Sequence, residues 1–394
     1  MRMNWSKDST GSIPEDWDTM PKPKIDQNAR AHTTISNWKA FSENQPWLES
    51  VEFPLLTDAA FTGELTLGPY AFINTVATSQ RKTVKPAVVL RYAVHRKWDY
   101  PDFSETDSTL YHGGGPAEEL AALASLCMGV RLRAGRLTRR FEPHGDPFGR
   151  PDEMGDPIEP YFVPATPPLN PNALTGPHPL EELSRLSTLL TITNEQSNAL
   201  IRSSRLYQEA LWACESDPAM SWLLLVSAVE VVANAWMTDE VDNVERLQGA
   251  RPSLYKHLEE HGDRTLLTLI ADEFASVLGA TQKFVKFCLT FIPPTPPKRP
   301  SEWAQVRWTK TSLRSALSKV YDYRSQALHS GKPFPAPMCT SPGRLAEWDA
   351  PAETLSSIAI HQGGSTWLKG DIPMHFHIFE YIARNAILNW WQQL

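Results

Sequence analysis

The sequence predicts an α+β protein: a small α/β module followed by an all-α helical bundle. Three observations carry that expectation. Short β-branched and aromatic runs cluster before residue 142, eleven prolines fall between 143 and 179, and helical periodicity dominates from about 180 onward. The expected organisation is a loosely ordered arm over 1–45, an α/β domain over 46–142, a proline-rich linker over 143–180 and the helical bundle over 181–394.

The first 20 or so residues are polar and without period, as an arm requires. "FTGELTLGPYAFINTVA" (61–77) and "KPAVVLRYAVHRKW" (85–98) read as strands bounded by turn residues. "AEELAALASLCMGVRL" reads as a helix, with Leu120, Ala121, Leu123, Ala124 and Cys127 at helical spacing. "VRLRAGRLTRRF" alternates around Gly135 like a small hairpin. Prolines lack an amide donor and restrict the preceding residue, so 143–180 reads as an extended domain boundary. Helices are expected at 181–190, 195–214, 217–237, 252–261, 264–291, 309–330, 351–360 and 373–393. Asp217 followed by Pro218 gives the third an N-cap and a proline in the first turn. The loop 292–303 interrupts the bundle, and no strand is expected in this half.

Composition bounds the function. The 394 residues carry a net charge of −7 and a pI near 5.9, the wrong sign for a protein that coats long nucleic acid non-specifically. The four cysteines form no CxxC pair, so neither a zinc site nor a disulfide framework is expected, and a reducing, cytoplasmic setting fits. No leader with an apolar stretch is read at the start. The most apolar segment, "WLLLVSAVEVVANAW" (222–236), is short for a membrane span and carries Glu230 midway, so a soluble chain with no membrane partner is expected.

The stretch "YDYRSQALHSGKPFP" (321–335) holds an Arg-x-x-x-x-His pair, Arg324 and His329. The spacing recurs at Arg139 and His144, so context decides between them. Leu313, Leu317 and Val320 form an apolar stripe whose continuation falls on Arg324 and Leu328. A guanidinium on a covered face needs an acceptor, either an internal carboxylate such as Glu230 or a ligand. His329 sits in the last turn, before Gly331 and Pro333. Five residues turn a helix by about 500°, so the two side chains diverge by about 140°. They converge only on a site at the helix end or on one shared with a second copy. The plainer reading pairs Arg324 with Glu230 and lets His329 complement the helix C-terminus.

An apolar helix containing "SAVEVVAN" and a later helix ending "YDYRSQALHSG" together resemble the HEPN superfamily, and within it the Apea-like HEPN proteins, over roughly residues 195–394. "GGGPAEELAALASLCMGVRLRAG" (113–135) also resembles the region that accompanies Apea-like domains. The resemblance implies a helical bundle that dimerises through the motif helices, with Arg324 and His329 as the catalytic pair. Ser325 takes the place where the superfamily commonly has Asn, Asp or His, and Glu230 is expected to orient Arg324. The implied activity is metal-independent cleavage of an RNA substrate, with no cofactor. The implied setting is antiphage defence, as a toxin or abortive-infection effector. The N-terminal domain would then sense a phage-derived or nucleic-acid trigger. The alternative is a catalytically silent HEPN module that binds nucleotide, RNA or a protein partner.

Three further features bear on binding. Arg131, Arg133, Arg136, Arg139 and Arg140 form the most basic run and are candidates for nucleic-acid contact, against the plainer reading of a solvated face. In "YHGGGPAEEL" (111–120) the glycines before a helix suggest an anion loop, but Glu118 and Glu119 already satisfy the first turn. His375 and His377, two apart, face different sides of a helix and are not expected to hold a metal.

Overall fold

The computed structural model describes residues 31–75, 84–95, 104, 106–108, 110–143, 145–152, 167–174, 176–236, 243–250, 252–274, 279–344 and 350–394. In chain order the N-terminal half contributes α1 (Thr33–Ser42), β1 (Glu49–Thr57), β2 (Phe61–Thr62), β3 (Leu65–Leu67), β4 (Tyr70–Asn74), β5 (Lys85–Val94), α2 (Pro116–Met128), β6 (Arg133–Ala134), β7 (Arg139–Phe141), β8 (Arg150–Pro151) and β9 (His178–Pro179). An antiparallel sheet runs β3-β4-β5-β1-β7-β8, with β6 also on β1. The long β1–β5 pair, Glu49 opposite Val94 through Thr57 opposite Lys85, forms its centre. Both expected strand segments are therefore strands, the first broken into β2, β3 and β4 by positive-φ Gly63 and Gly68.

Part of the expected arm is helix. Ile35 and Trp38 on α1 bury against the sheet, Trp38 meeting Tyr70 edge-on at 5.6 Å. Asn37 donates to Tyr70 Oη at 3.1 Å and to the Ala93 carbonyl at 2.9 Å. Gly68, at φ 55°, is held to glycine by this docking, because a Cβ there would lie 2.2 Å from Trp38 Nε1. Residues 1–30 lie outside the described residues.

The expected hairpin around Gly135 is instead one interrupted edge strand. β6 and β7 both pair antiparallel with β1, at Leu55–Leu56 and at Ser50–Glu52, and not with each other. The break falls at Pro54, where Gly135 N–H donates to the Pro54 carbonyl at 2.7 Å and Thr138 N–H to Glu52 at 2.9 Å. A Cβ on Gly135 would sit 2.8 Å from Pro54 Cγ, so the close approach fixes the glycine.

The expected boundary at 143–180 does not separate two cores. Ala31–Leu394 is one compact unit, and one cluster of buried side chains runs from Ile35 through α2 to Trp391. The described parts of the proline-rich segment pack onto it: β8 extends the sheet edge, β9 runs parallel to β2, and Leu169 N–H donates to the Glu215 carboxylate at 2.9 Å. Proline removes donors but is tolerated on sheet edges, which is where these residues lie.

The C-terminal half opens with a 3-10 helix, Leu180–Leu190, in place of an expected α-helix. Leu180, Leu183, Leu186 and Leu189 are all buried, and a spacing of three is the period of a 3-10 helix. Then come α3 (Asn194–Ala213), α4 (Pro218–Trp236), α5 (Asn243–Ala250), α6 (Pro252–His261), α7 (Arg264–Phe274), α8 (Ala280–Thr290), α9 (Lys310–Ser330), β10 (Ala359–Gln362), β11 (Ser365–Leu368) and α10 (Phe376–Gln393). Asp217 caps α4 as expected, accepting from Met220 N–H at 3.0 Å. The expected helix 264–291 is two, α8 starting after Gly279 at φ 89°. The expected helix 351–360 is not formed: Glu353 is pulled into the core by Arg299 at 2.6 and 2.7 Å and by Val306 N–H at 2.7 Å. The chain then enters the β10–β11 hairpin, turned by Gly363 and Gly364 at φ 58° and 74°. α5, α6 and α7 keep a small cluster of their own around Leu247, Leu258 and Leu267.

α4 is long and apolar enough to cross a bilayer, but Trp222, Leu225, Val226, Val229 and Val232 are buried among α3, α8 and α10, which makes it a core helix. Trp222 is the hub. It stacks on Phe379 at 5.1 Å and Phe334 at 5.6 Å, meets Phe376 edge-on, and donates to the Met338 carbonyl at 3.0 Å. Trp222→Ala is expected to lower unfolding free energy by about 3–5 kcal/mol, read as a drop in urea midpoint against wild type.

Candidate functional site

α4 and α9 together position the motif arginine. Glu230 is the one charged residue on α4, and its two oxygens are taken by α9: Tyr321 Oη donates to Oε1 at 2.6 Å and Arg324 Nη2 to Oε2 at 2.7 Å. The guanidinium also lies over the Tyr321 ring, 5.4 Å from its centre. Burial, reinforced by the bond to Glu230, pushes the Tyr321 phenol well above its ordinary range, so it remains a donor. Leu313, Leu317 and Val320 form the buried stripe on α9 as expected, but Leu328 is 51% exposed. The covered face therefore ends at Arg324, whose side chain is 19% exposed and whose Nε has no hydrogen-bond partner. Ser325 is half-buried. His329 is exposed in the last turn, just before Gly331 closes α9 at φ 62°. Glu230 thus meets Arg324 directly, and the arginine and the histidine are both reachable from solvent.

The basic run is not the free cationic face that nucleic-acid contact needs. Arg131 is fully buried against Asp58, at 3.0 Å. Arg133 pairs with Glu209 and lies over Trp212; Arg139 is 3.7 Å from Glu52; Arg140 is 3.1 Å from Glu49. Arg136 alone of the five stands exposed without a carboxylate partner among the described residues. The acids that meet the other four are Asp58 just after β1, Glu49 and Glu52 on β1, and Glu209 on α3.

His375 and His377 are buried, and burial holds them down to about 4 and about 3, so both are neutral at physiological pH. His375 precedes α10, its N–H donating to the Glu353 carbonyl at 2.8 Å. All four cysteines are free, and burial pushes Cys127 and Cys214 up to about 12, which leaves them inert as nucleophiles. In the glycine turn, Glu118 accepts from Gly115 N–H at 2.9 Å, so an acid already occupies the first turn as expected.

A cluster absent from the sequence expectations lies beside that turn. Glu119, on α2, meets His112 and His32, and Thr34 N–H donates to its Oε2 at 3.0 Å. Burial opposes ionisation of Glu119, but the bonds from His112, His32 and Thr34 outweigh it and hold the carboxyl down at about 2. The sequence signal for it is slight: "AEELAALASLCM" is apolar around its whole circumference, so an acid in it is covered on every side. Nothing in the spacing brings His32 to it.

Comparison with protein-family models, with curated proteins and with solved structures finds no match in any of the three.

The Arg131–Asp58 pair gives a test. Asp58→Ala leaves a buried guanidinium without its carboxylate and is expected to cost about 3–5 kcal/mol in chemical denaturation. The double variant Asp58→Leu with Arg131→Met is expected to recover most of that loss.

Proposed function

We propose that the chain is a HEPN-type, metal-independent endoribonuclease that works as a homodimer, with Arg324 and His329 as its catalytic pair. The observation that carries this reading is the state of Arg324: anchored by Glu230 through Nη2, with Nε buried and the side chain still 19% exposed to solvent at the end of α9's covered face. That anchoring holds the guanidinium at the rim, where its solvent-facing part can meet a phosphate oxygen. Ser325 lies next to it in the chain.

The chemistry proceeds from the RNA's own 2′-hydroxyl. One histidine takes the 2′ proton as the oxygen bonds to phosphorus; the bond from phosphorus to the 5′-oxygen breaks, and a second histidine protonates that oxygen. The products are a 2′,3′-cyclic phosphate and a 5′-hydroxyl. Imidazole suits both transfers near neutral pH. The divergence of about 140° between the two positions on one helix is the reason for a second copy, whose His329 completes the site. The setting is cytoplasmic defence against phage, with the sheet-bearing half sensing a phage-derived or nucleic-acid trigger. A silent HEPN module that binds nucleotide, RNA or a protein partner is the second reading, and the Glu230–Arg324 ion pair favours it by giving the arginine an internal role.

The deciding experiment incubates RNA with wild type, Arg324→Ala and His329→Ala and identifies the product ends. Wild type is expected to leave cyclic phosphates and to spare a substrate that is 2′-deoxy at the scissile nucleotide. Each variant is expected to cleave at least about 100-fold more slowly, with His329→Ala keeping wild-type stability and Arg324→Ala, which leaves Glu230 to Tyr321 alone, less stable but folded. Equal cleavage by all three proteins, or cleavage of the deoxy substrate, overturns the reading. RNA binding without cleavage supports the silent module. A second outcome concerns assembly: Leu328→Arg, beside His329, is expected to shift sedimentation from dimer to monomer and to lower cleavage in parallel.

A further inference from the structure

His32, His112 and Glu119 converge from three separate places. His32 is the N-cap of α1, His112 precedes the glycine turn, and Glu119 stands in the first turn of α2. His112 Nε2 is 3.0 Å and His32 Nδ1 3.3 Å from the same oxygen, Glu119 Oε1. One donor atom from each side chain lies within 4.8 Å of the others. The three side chains are 1–3% exposed.

Charge makes hydrogen bonding alone an incomplete account. A buried carboxylate needs a compensating cation, and no lysine or arginine forms an ion pair with Glu119 among the described residues. The positive charge there comes from an imidazolium or from a bound ion. Geometry admits the ion. A tetrahedral metal with N and O ligands at about 2.0–2.1 Å has ligand–ligand edges of about 3.3–3.4 Å, which the His32–Glu119 separation of 3.3 Å matches, while the His112–Glu119 separation of 3.0 Å is that of a hydrogen bond and opens by a few tenths of an ångström when an ion enters. Thr34 N–H engages Oε2, which leaves Oε1 turned to the two nitrogens. His32 Nε2, His112 Nδ1 and Thr34 Oγ1 are buried without a hydrogen-bond partner; the two nitrogens lie on the ring edges away from Glu119 and are not ligands, so Glu119 is the one acid that orients either ring.

We propose that His32, His112 and Glu119 bind one divalent transition-metal ion, of which zinc is the representative, with a fourth position left for water. Two imidazoles and a carboxylate form a borderline N/O donor set that suits zinc and excludes calcium and magnesium. The ion ties the start of α1 to the start of α2, 85 residues apart between Thr34 and Glu119, and so fastens α1 in place. The site is separate from Arg324 and His329, and its test does not depend on nuclease activity.

The test loads the full-length protein with zinc or cobalt(II), desalts it and measures retained metal. One confound is built in: His257 and His261, one turn apart on exposed α6, meet edge to face at 4.7 Å and form a two-histidine surface site. A His257→Gln, His261→Gln background removes it. In that background one ion per chain is expected, with the visible absorption of four-coordinate cobalt and a thermal midpoint that rises on zinc addition. His32→Gln and His112→Gln are each expected to abolish retention. Folded protein in that background that retains neither metal overturns the proposal whatever the variants do. So does retention unchanged in folded His32→Gln and His112→Gln.

Discussion

Glu230 is a carboxylate on a helix that the core surrounds, and much of the C-terminal architecture answers it. α4 is packed by α3, α8 and α10, so its one charge has a narrow outlet. α9 closes that outlet with Tyr321 and Arg324, which together occupy both oxygens. A half-buried ion pair of this kind adds little net stability over an apolar substitute, but it penalises every rotation of α9 that would leave the acid unmet. The pair therefore fixes the register of α9. It also fixes which residues reach the rim: the arginine stands where cover ends, and the histidine lies beyond it on the last turn.

Arginine performs a second task across the molecule, joining chain segments that are distant in sequence. Arg384 on α10 donates to the Leu126 carbonyl at 2.8 Å and to that of Cys127, capping the exposed carbonyls at the end of α2. Arg185 reaches the Leu388 carbonyl at 3.0 Å and lies over Trp391. Arg299 holds Glu353, and Arg131 holds Asp58. Arg384 thereby binds the helical half to the sheet-bearing half, while the other three close each half on itself through a backbone acceptor or an acid. They also explain why a conspicuous basic run on an acidic chain leaves so little free positive surface.

The range of the forces involved decides how much of the structure is legible in residue order. Local signals are legible: Asp217 and Pro218 start α4, the β-branched and aromatic runs form β2 to β5 though not the central β1, and Leu313, Leu317 and Val320 mark the buried face of α9. The pairing of Arg324 with Glu230 is legible too, because a charge on a covered face demands an opposite one. Long-range geometry is not. Pairing of β6 and β7 to β1 depends on a partner some eighty residues away, and alternation alone cannot distinguish an edge strand from a hairpin. Proline content suggests a spacer, yet prolines at sheet edges are compatible with packing. The meeting of His32 with Glu119 has no local trace, since each lies in an ordinary helix start.

The 3-10 segment Leu180–Leu190 gears the two halves of the molecule together. Its leucines line up only while three residues make a full turn; wound as an α-helix, each would lag its predecessor by about 60°, and Leu189 would face opposite to Leu180. One side of the segment touches α1, α2 and β3, while Thr188 accepts from Trp391 Nε1 at 2.9 Å on α10. It acts as a toothed rod between sheet and bundle, meshing on both sides with one pitch. A single inserted residue would throw the downstream teeth about 120° out of phase. Length in this segment is therefore as tightly specified as composition, whereas a surface loop of the same size tolerates insertion freely.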